Sequence, residues 1–347
     1  MAFKMPMPDG PIASPSAWIG AEQRGQSDWI YELDPRDVDE LEHAADGVIS
    51  SSLDFASISP RNFQLPTLGP TLKALSRDVQ FGRGFALIRG FPLEHSADRV
   101  ERMYYGLMSH MGLPIEQNSS AERLIHVRNE QSYDNSVRSY KSNHNLTYHA
   151  DWSDMVGLAC IHPAREGGIS RIISAVTVSN TLFLENRDVL EELYNIPFYM
   201  DWKGEGPKKQ LPFYWIRIFS WFDGRFYSYY ANRVICDTHR QREDVPKLTK
   251  KQERGLELIE EICQRSNLPL DMEFQPGDIQ LLNNYTVWHS RTNYVDFDEP
   301  EKKRHLLRVW LAQSATAPLP PDFTNRYEML GVDGVCPRLK TFPSSGD

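Results

Sequence analysis

The chain has 347 residues, 40% hydrophobic and 11% aromatic, which is enough apolar material for one large core and excludes a mostly disordered protein. With 38 basic against 47 acidic residues, its formal net charge of -9 excludes a general nucleic-acid or anionic-membrane binder. The four cysteines form no close pair, which gives no sign of a disulfide framework. Prolines interrupt the N-terminal segment where a secretory signal would need an apolar run, and no apolar run approaches the roughly 20 residues of a membrane span. We therefore expect a cytoplasmic protein without membrane segments.

The first third of the chain predicts an extended arm followed by helices and one strand. Residues 1–30 are rich in Pro, Gly and Ser without any period, and we expect them to lie as an arm on a single domain formed by residues 31–347. The next predicted elements, in chain order, are a helix from Asp34-Pro35 to about Val48, a short helix after Leu68, a buried strand in GRGFALIRGF, and a helix from Ala97 to Met111.

Short β-rich runs dominate the second half of the chain. They are LACIH, SRIISAVTV, FYWIRIFSWF, RFYSYYANRVI, DIQLLNN and HLLRVWL, and Asp223-Gly224 predicts a hairpin turn between two of them. Many short strands with a few outer helices favour an α+β, mainly β fold. Its predicted form is a double-stranded β-helix, or jelly-roll barrel, flanked by helices.

Three further segments complete the prediction. Helices are expected near residues 178–194 and 250–266, the second opened by a capping box of Thr249 and Gln252. The polar, irregular segment 118–143 leads directly into the triplet described next. We interpret it as an active-site lid, with a plain mobile loop as the alternative.

The triplet His149-Ala150-Asp151 offers metal ligands. Because side chains alternate along a strand, His149 and Asp151 point the same way, and His289 follows the later strand DIQLLNN. Two imidazoles and one carboxylate are the ligand set of non-haem iron(II) sites that keep one face of the metal open. The triplet alone is a weak signal, because a lone histidine is more often a satisfied polar residue than a ligand.

Arg304 and Arg308 strengthen the interpretation. They stand four residues apart in the otherwise apolar run RHLLRVWL, so both face one side of the predicted strand. The plain alternative is that both arginines lie on a solvated strand face. The run is otherwise apolar, however, which indicates a buried strand, and buried arginines need an anionic partner. A planar guanidinium binds a carboxylate with two hydrogen bonds, and a dicarboxylate cosubstrate beside the metal would supply that carboxylate.

With these residues, the chain resembles the iron(II)/2-oxoglutarate-dependent dioxygenases of the taurine dioxygenase (TauD/TfdA) type over roughly residues 82–311. Four segments carry the resemblance in order, namely GRGFALIRG, YHADWSDMVGLACIHPAREGG, FQPGDIQLLNNYTVWHSR and RHLLRVWL. The resemblance implies iron ligands at His149, Asp151 and His289. It further implies cosubstrate contacts at Arg304 and Ser170, a cosubstrate or substrate contact at Arg308, and substrate contacts at Asn145 and Tyr148, although Asn145 is equally typical of a turn.

The implied reaction oxidises an unactivated C–H bond while 2-oxoglutarate and O2 give succinate and CO2, with iron(II) as cofactor and ascorbate as a supporting reductant. The expected substrate is a small carboxylate-bearing molecule, such as an amino acid or derived metabolite, paired with Arg308, Arg233 or Arg138. Arg233 and Arg138 also fit plain surface arginines. We expect no nucleic-acid or membrane partner, and a homo-oligomer stays open.

Several alternatives remain at this stage. Hydroxylation is the default outcome, but the same ligands support desaturation and ring closure, whereas the retained Asp151 disfavours halogenation. A cupin-like metal enzyme would not need Arg304, and a non-catalytic barrel could merely bind a metal or 2-oxoglutarate. Jumonji-type hydroxylases share the triad but hold 2-oxoglutarate with a lysine, for which the chain has no matching segment.

Overall fold

The computed structural model of the protein describes residues 6–118, 120–129, 143–201, 212–313 and 318–323. The helices in these ranges are α1 (Gly20–Gln23), α2 (Pro35–Ser50), α3 (Leu68–Phe81), α4 (Ala97–Ser109), α5 (Ala175–Glu185), α6 (Arg187–Asn195), α7 (Asn232–Gln241) and α8 (Lys250–Cys263). The strands are β1 (Ile30–Glu32), β2 (Phe85–Arg89), β3 (Leu113–Ile115), β4 (Ile125–Val127), β5 (Leu146–His149), β6 (Met155–His162), β7 (Glu166–Gly167), β8 (Ser170–Ser174), β9 (Phe198–Asp201), β10 (Phe213–Ile216), β11 (Phe219–Phe222), β12 (Arg225–Ser228), β13 (Leu270–Met272), β14 (Ile279–Asn283), β15 (Val287–Arg291), β16 (Tyr294–Val295) and β17 (His305–Ala312).

Two facing sheets organise this mixed α/β fold. The major sheet has seven strands in the order β1-β2-β14-β6-β17-β3, with β4 also paired to β17, and the minor sheet has four in the order β13-β8-β15-β5. Side chains meet between the sheets at two points. Ser170 of β8 donates to Gln280 of β14 at 3.2 Å, and Arg308 of β17 lies 3.5 Å from Asp151, which follows β5. A polar layer therefore lies between the sheets.

The outer face of the major sheet is apolar and covered by helices α2, α3 and α4. Leu281, Leu307 and Val309 point outward and join a buried cluster with Tyr104 and other residues of these helices. The helices approach closely because β6 has a glycine in the contact. A Cβ atom on Gly157 would lie 2.4 Å from the Cε atom of Met108 and 2.9 Å from the hydroxyl oxygen of Tyr104, so a larger residue would displace these side chains of α4.

The outer face of the minor sheet packs on aromatic residues and on α5, α6 and α8. The ring of Trp288 stacks on Tyr230 at 4.6 Å and on Phe219 at 5.8 Å, and its Nε1–H donates to Ser228 at 3.0 Å. Since neighbouring side chains on a strand point to opposite faces, burying Trp288 outward turns its neighbour His289 inward.

Most long predicted elements are confirmed. Helices α2, α4 and α8 and strands β2, β6, β14 and β17 occupy the predicted segments, and α8 has the capping box of Thr249 and Gln252. The β11–β12 hairpin turns at Asp223 and Gly224, whose φ angles of 48° and 69° are both left-handed, as a two-residue hairpin turn requires.

Two predicted strands are partly helical. The run SRIISAVTV leaves the sheet after Ser174, whose hydroxyl accepts a hydrogen bond from the N–H of Thr177 and thereby caps α5. The run RFYSYYANRVI likewise ends its strand at Ser228, and α7 begins at Asn232. Aromatic and β-branched residues favour strands only weakly, and packing at these positions favours helix.

Two predicted elements are each divided in two. The helix expected near residues 178–194 is broken at Asn186, whose backbone is non-helical with φ -149°, so it forms α5 and α6. The run FYWIRIFSWF forms β10 and β11, which pair with β9 and β12 in separate ladders. Arg217 stands between them and forms a buried ion pair with Asp322 at 3.1 Å, which fixes the break.

The terminal arm and the predicted lid are described only in part. Within the arm, Ile12 exchanges two hydrogen bonds with Asn180 of α5, and the one-turn helix α1 departs from a purely extended course. The predicted lid contributes β4 to the major sheet, whereas residues 130–142 lie outside the described residues. No helix in the described ranges is long and apolar enough to span a bilayer.

We expect acid to destabilise the fold through His305. Its ring nitrogen lies 2.8 Å from that of His126, and burial, with the nearby positive groups of His126, Arg128 and His162, lowers the pKa of His305 to about 4. The unfolded chain therefore takes up this proton first as pH falls, so stability is lost from the unfolded pKa of about 6.5 down to the folded one. The free energy of unfolding falls by at most about 1.4 kcal/mol per pH unit over this range.

Urea midpoints measured from about pH 7 to about pH 4 test this expectation. The variant His305→Asn should show a shallower loss than the unsubstituted protein. His43→Asn, at an exposed histidine, should keep the original slope. Equal slopes for His305→Asn and the unsubstituted protein would contradict the assignment.

Candidate metal centre and anion pocket

The register of three strands gathers the polar residues of the minor sheet on its inner face. In this register His289 of β15 pairs with His149 of β5, and Arg291 of β15 pairs with Ser170 of β8. Directly opposed residues of antiparallel strands share one face, so all four side chains point toward the major sheet.

His149, Asp151 and His289 converge on one point. One ligand atom from each lies within 4.8 Å of the others, and this is the single such group of histidine, cysteine and acidic residues in the part of the chain that is described. The imidazole centroids are 4.2 Å apart, and Nε2 of His289 lies 3.9 Å from Oδ2 of Asp151. β5 ends at His149, and the backbone N–H of Asp151 donates to Oδ1 of Asn284 at 3.1 Å, which fixes the backbone that carries the carboxylate.

A hydrogen bond to the backbone orients the ring of His149. Its Nδ1 lies 2.9 Å from the carbonyl oxygen of Thr147, so Nδ1–H donates to that oxygen. Nε2 of the same ring then has a lone pair available. Ligand histidines in metal sites are commonly oriented in this way.

Electrostatics favour the protonation states that a divalent cation needs. Burial lowers the pKa of His149, and burial together with His149 lowers the pKa of His289 to about 3. Burial opposes ionisation of Asp151, but the positive charge of Arg308, and of the two histidines when they are protonated, outweighs it and holds the pKa of the carboxyl below its usual value. At neutral pH the centre therefore offers two neutral imidazoles and one carboxylate, the set typical of non-haem iron(II) sites with open positions.

Two buried arginines lie together near the centre, and we call the region around them the arginine pocket. The guanidinium groups of Arg304 and Arg291 lie over the ring of Tyr294, at 5.1 Å and 4.6 Å from its centroid. Burial, and then Arg304, lowers the pKa of Arg291 to about 10, while burial lowers the pKa of Arg304. Nη1 of Arg304 is buried without a hydrogen-bond partner. Two buried cations destabilise one another, and an anion bound here would relieve both.

Gly168 leaves room for this pocket. Its backbone is left-handed, with φ +69°, and a Cβ atom would lie 3.2 Å from Nε of Arg304. The same glycine turn leads into Ser170 at the start of β8. A side chain at this position would strain the turn and crowd the guanidinium.

Of the residues predicted from the sequence, the structure brings six together. His149, Asp151, His289 and Arg308 meet at the centre, and Ser170 and Arg304 lie on the side of Arg291. Asn145 is exposed in the loop before β5. Tyr148 is buried on the face of β5 opposite His149, with Cys263 of α8 among its neighbours, because side chains alternate along the strand.

The arginines considered for substrate binding differ in their burial. Arg308 is buried beside Asp151, whereas the side chain of Arg233 is 63% exposed and lies 3.8 Å from Asp237 one helical turn away. This geometry matches the surface interpretation of Arg233. Arg138 lies outside the described residues.

Sequence reasoning missed Arg291 and Gln117. The signal for Arg291 was present, since it stands two residues after His289 on the same strand and must share its face. Gln117 follows β3 in a loop, and its amide oxygen accepts from Nε–H of Arg308 at 2.8 Å. No motif marks this glutamine.

The chain matches a protein-family model described as "Taurine catabolism dioxygenase TauD, TfdA family" over residues 50–310. Among curated proteins it is 28% identical to the FR-33289 synthase of Streptomyces rubellomurinus, over 87% of this chain and 90% of that protein. It is 26% identical to the taurine hydroxylase-like protein SAT17 of Stachybotrys chartarum, over 86% of this chain and 79% of that protein.

Solved structures share the fold at low identity. Asparagine oxygenase in complex with Fe(II), 2S,3S-3-hydroxyasparagine and succinate aligns with a TM-score of 0.65 and 14% identity, covering 85% of this chain and 98% of that one. The non-heme iron oxygenase OrfP in complex with Fe and alpha-ketoglutaric acid aligns with a TM-score of 0.61 and 14% identity, covering 82% and 93%.

Removing one imidazole should disable the metal centre. We expect His149→Ala and His289→Ala each to weaken Fe(II) binding by about 100-fold or more, because each removes one of three ligand atoms. Anaerobic titration calorimetry measures the affinity. His95→Ala, at a histidine paired with Glu42 on α2, should bind Fe(II) normally. Undiminished binding by His149→Ala would rule out the centre.

Proposed function

The chain belongs to the TauD, TfdA family of dioxygenases, and from this premise we propose that it is an iron(II)- and 2-oxoglutarate-dependent oxygenase. It oxidises an unactivated C–H bond of an amino acid or an amino-acid-derived metabolite, and 2-oxoglutarate and O2 are converted to succinate and CO2. Hydroxylation is the default outcome. The single observation that carries the proposal is the convergence of His149, Asp151 and His289 beside a buried arginine pocket.

The three converging residues would hold the iron. Their protonation states suit a divalent cation, and their spacing within 4.8 Å allows all three to reach one ion. Iron(II) with 2-oxoglutarate and O2 supplies an oxidant strong enough for C–H bonds. The carbonyl oxygen of Thr147 orients the ring of His149, and the amide of Asn284 accepts from the backbone N–H of Asp151 and fixes the chain at that residue.

The arginine pocket would hold 2-oxoglutarate. Arg304 is the main carboxylate partner, because its buried Nη1 has a hydrogen to donate and the guanidinium can make two parallel bonds. Ser170 adds a hydroxyl from the same inner face, and Arg291 adds a second positive charge. A dicarboxylate thus meets two cations at its far end while its other end reaches the metal.

Relatives support the substrate class. The two aligned oxygenases were crystallised with hydroxylated amino acids, 2S,3S-3-hydroxyasparagine in one and (3S)-hydroxy-L-Arg in the other. A relative named as a synthase supports a biosynthetic role, with desaturation or ring closure as alternative outcomes of the same oxidant. An anionic substrate would fit the excess of buried arginines. Cupin-like chemistry without 2-oxoglutarate fits less well, since it does not require Arg304. The intact group of His149, Asp151 and His289 disfavours a non-catalytic barrel.

The proposal also includes the jelly-roll form of the fold, the division into an arm and a domain, and the cellular compartment. The two facing sheets are the walls of a jelly roll, supported by the Ser170–Gln280 and Arg308–Asp151 contacts between them. The proposal takes residues 31–347 as one catalytic domain with residues 1–30 as an arm, and the described part of the predicted lid contributes β4 to the major sheet. The described cysteines are free thiols, which supports a reducing cytoplasm.

Removing the guanidinium of Arg304 should weaken cosubstrate binding. We expect Arg304→Ala to raise the Kd for 2-oxoglutarate by about 10- to 100-fold, since a charge-assisted bidentate contact contributes about 1.5–3 kcal/mol. Anaerobic calorimetry on the Mn(II)-loaded protein measures this Kd. Arg233→Ala, at the exposed arginine, is the control and should not change it. An unaltered Kd in Arg304→Ala would remove the assignment.

Turnover tests the activity itself. The protein with iron(II), ascorbate and 2-oxoglutarate should release succinate when amino acids and their derivatives are supplied, and mass spectrometry should find one of them heavier by an oxygen atom or lighter by two hydrogens. His289→Ala should release none. If neither succinate nor an oxidised product appears over a broad panel, catalysis of this class is excluded for the compounds tested.

A further inference from the structure

We propose that Gln117 and Arg308 act as a positioning pair that reserves one oxygen of the Asp151 carboxylate, so that this residue offers a single ligand atom to the metal. The inference rests on the proposed function, because it concerns the iron(II) of that site. It assigns Arg308 to the geometry of the metal ligand, and it gives Gln117 a role beyond packing.

Gln117 holds Arg308 from two sides. Its Oε1 accepts from Nε–H of Arg308 at 2.8 Å, and its Nε2 donates to the carbonyl oxygens of Arg308 and Arg123, each at 3.0 Å. The glutamine is only 3% exposed. Because one amide forms hydrogen bonds with both the side chain and the backbone of Arg308, the guanidinium has little freedom to rotate.

A third contact completes the constraint. The guanidinium carbon of Arg308 lies 4.8 Å from the ring centroid of Trp310, two residues further along β17 and on the same face. The amide binds the Nε–H of the group, and the indole ring lies against its guanidinium carbon. Nη1 is thereby directed at Asp151.

The two oxygens of Asp151 have different neighbours. Oδ1 lies 3.5 Å from Nη1 of Arg308, whereas Oδ2 lies 3.9 Å from Nε2 of His289. Oδ2 is therefore the oxygen beside the imidazole. Oδ1 faces a fixed cation, which a metal ion would have to displace in order to bind both oxygens.

The number of Asp151 oxygens that bind the metal matters for an octahedral ion. Three protein ligand atoms leave three positions open, enough for a chelating cosubstrate and one further ligand. A bidentate Asp151 would occupy one of them. A cation beside the carboxylate also costs affinity for a divalent ion, since like charges repel. The arginine is thus poorly suited to strengthen metal binding and well suited to limit how the carboxylate binds.

The test counts the water ligands of bound Mn(II). The protein is loaded with Mn(II) without 2-oxoglutarate, and exchangeable waters are counted from the broadening of the electron paramagnetic resonance lines in oxygen-17-enriched water. Gln117→Leu removes all three hydrogen bonds of the amide but keeps the charge of Arg308. We expect it to lose one water relative to the unsubstituted protein and to bind 2-oxoglutarate about tenfold more weakly, because Asp151 becomes bidentate.

Three further variants separate positioning from packing. Gln117→Glu keeps the acceptor for Arg308 and should restore the original water count. Arg308→Lys keeps the charge but lacks the planar fork, so it should lose one water as Gln117→Leu does, and it serves if Gln117→Leu fails to fold. Gln313→Leu is the matched control, since Gln313 is also buried and donates to a backbone carbonyl, that of Met111 at 2.9 Å. It should keep the original count.

The outcomes are distinct. An unchanged count in a folded Gln117→Leu and in Arg308→Lys would overturn the inference, and so would an equal loss in Gln313→Leu. In either case the unsubstituted protein would still bind Mn(II), and the proposed function would stand. Absence of Mn(II) binding by the unsubstituted protein would instead overturn the proposed function and this inference with it.

Discussion

The backbone pairing of His289 with His149 is the constraint on which the rest of the site depends. It places the two imidazoles 4.2 Å apart on one face, and the next inward residue of β15, Arg291, then stands opposite Ser170. A slip of one residue would turn Trp288 inward and both functional side chains outward. The outward packing of Trp288 on Tyr230 and Phe219 opposes that slip, so the aromatic core behind the sheet maintains the register of the polar face.

The second constraint is charge. Arg291, Arg304 and Arg308 are all buried near the sheet interface, and Asp151 is the buried acid beside Arg308. Burying cations is costly, and the lowered pKa values of Arg291 and Arg304 reflect that cost. The far carboxylate of a bound dicarboxylate would offset part of the positive charge of these two arginines, which links the stability of this region to occupancy of the proposed cosubstrate site.

Much of this arrangement was predictable from local patterns. The capping box of α8, the hairpin at Asp223-Gly224 and the long apolar strands follow from rules that act over a few residues. Arg291 was predictable too, by the same alternation that relates His149 to Asp151. The helix α7 was not, because most residues of RFYSYYANRVI favour a strand, whereas its last four residues begin the helix that packs against β9.

The sequence by itself determined the chemistry of the site: two histidines, one aspartate and the arginines are the donor set for a divalent metal and a carboxylate, and their order along the chain identifies the family. The tertiary structure decided their geometry. It directed Arg308 to Asp151 through Gln117 and brought Arg291 beside Arg304. The physical reason is that these relations depend on register and on contacts between distant strands, and no short sequence pattern encodes such contacts.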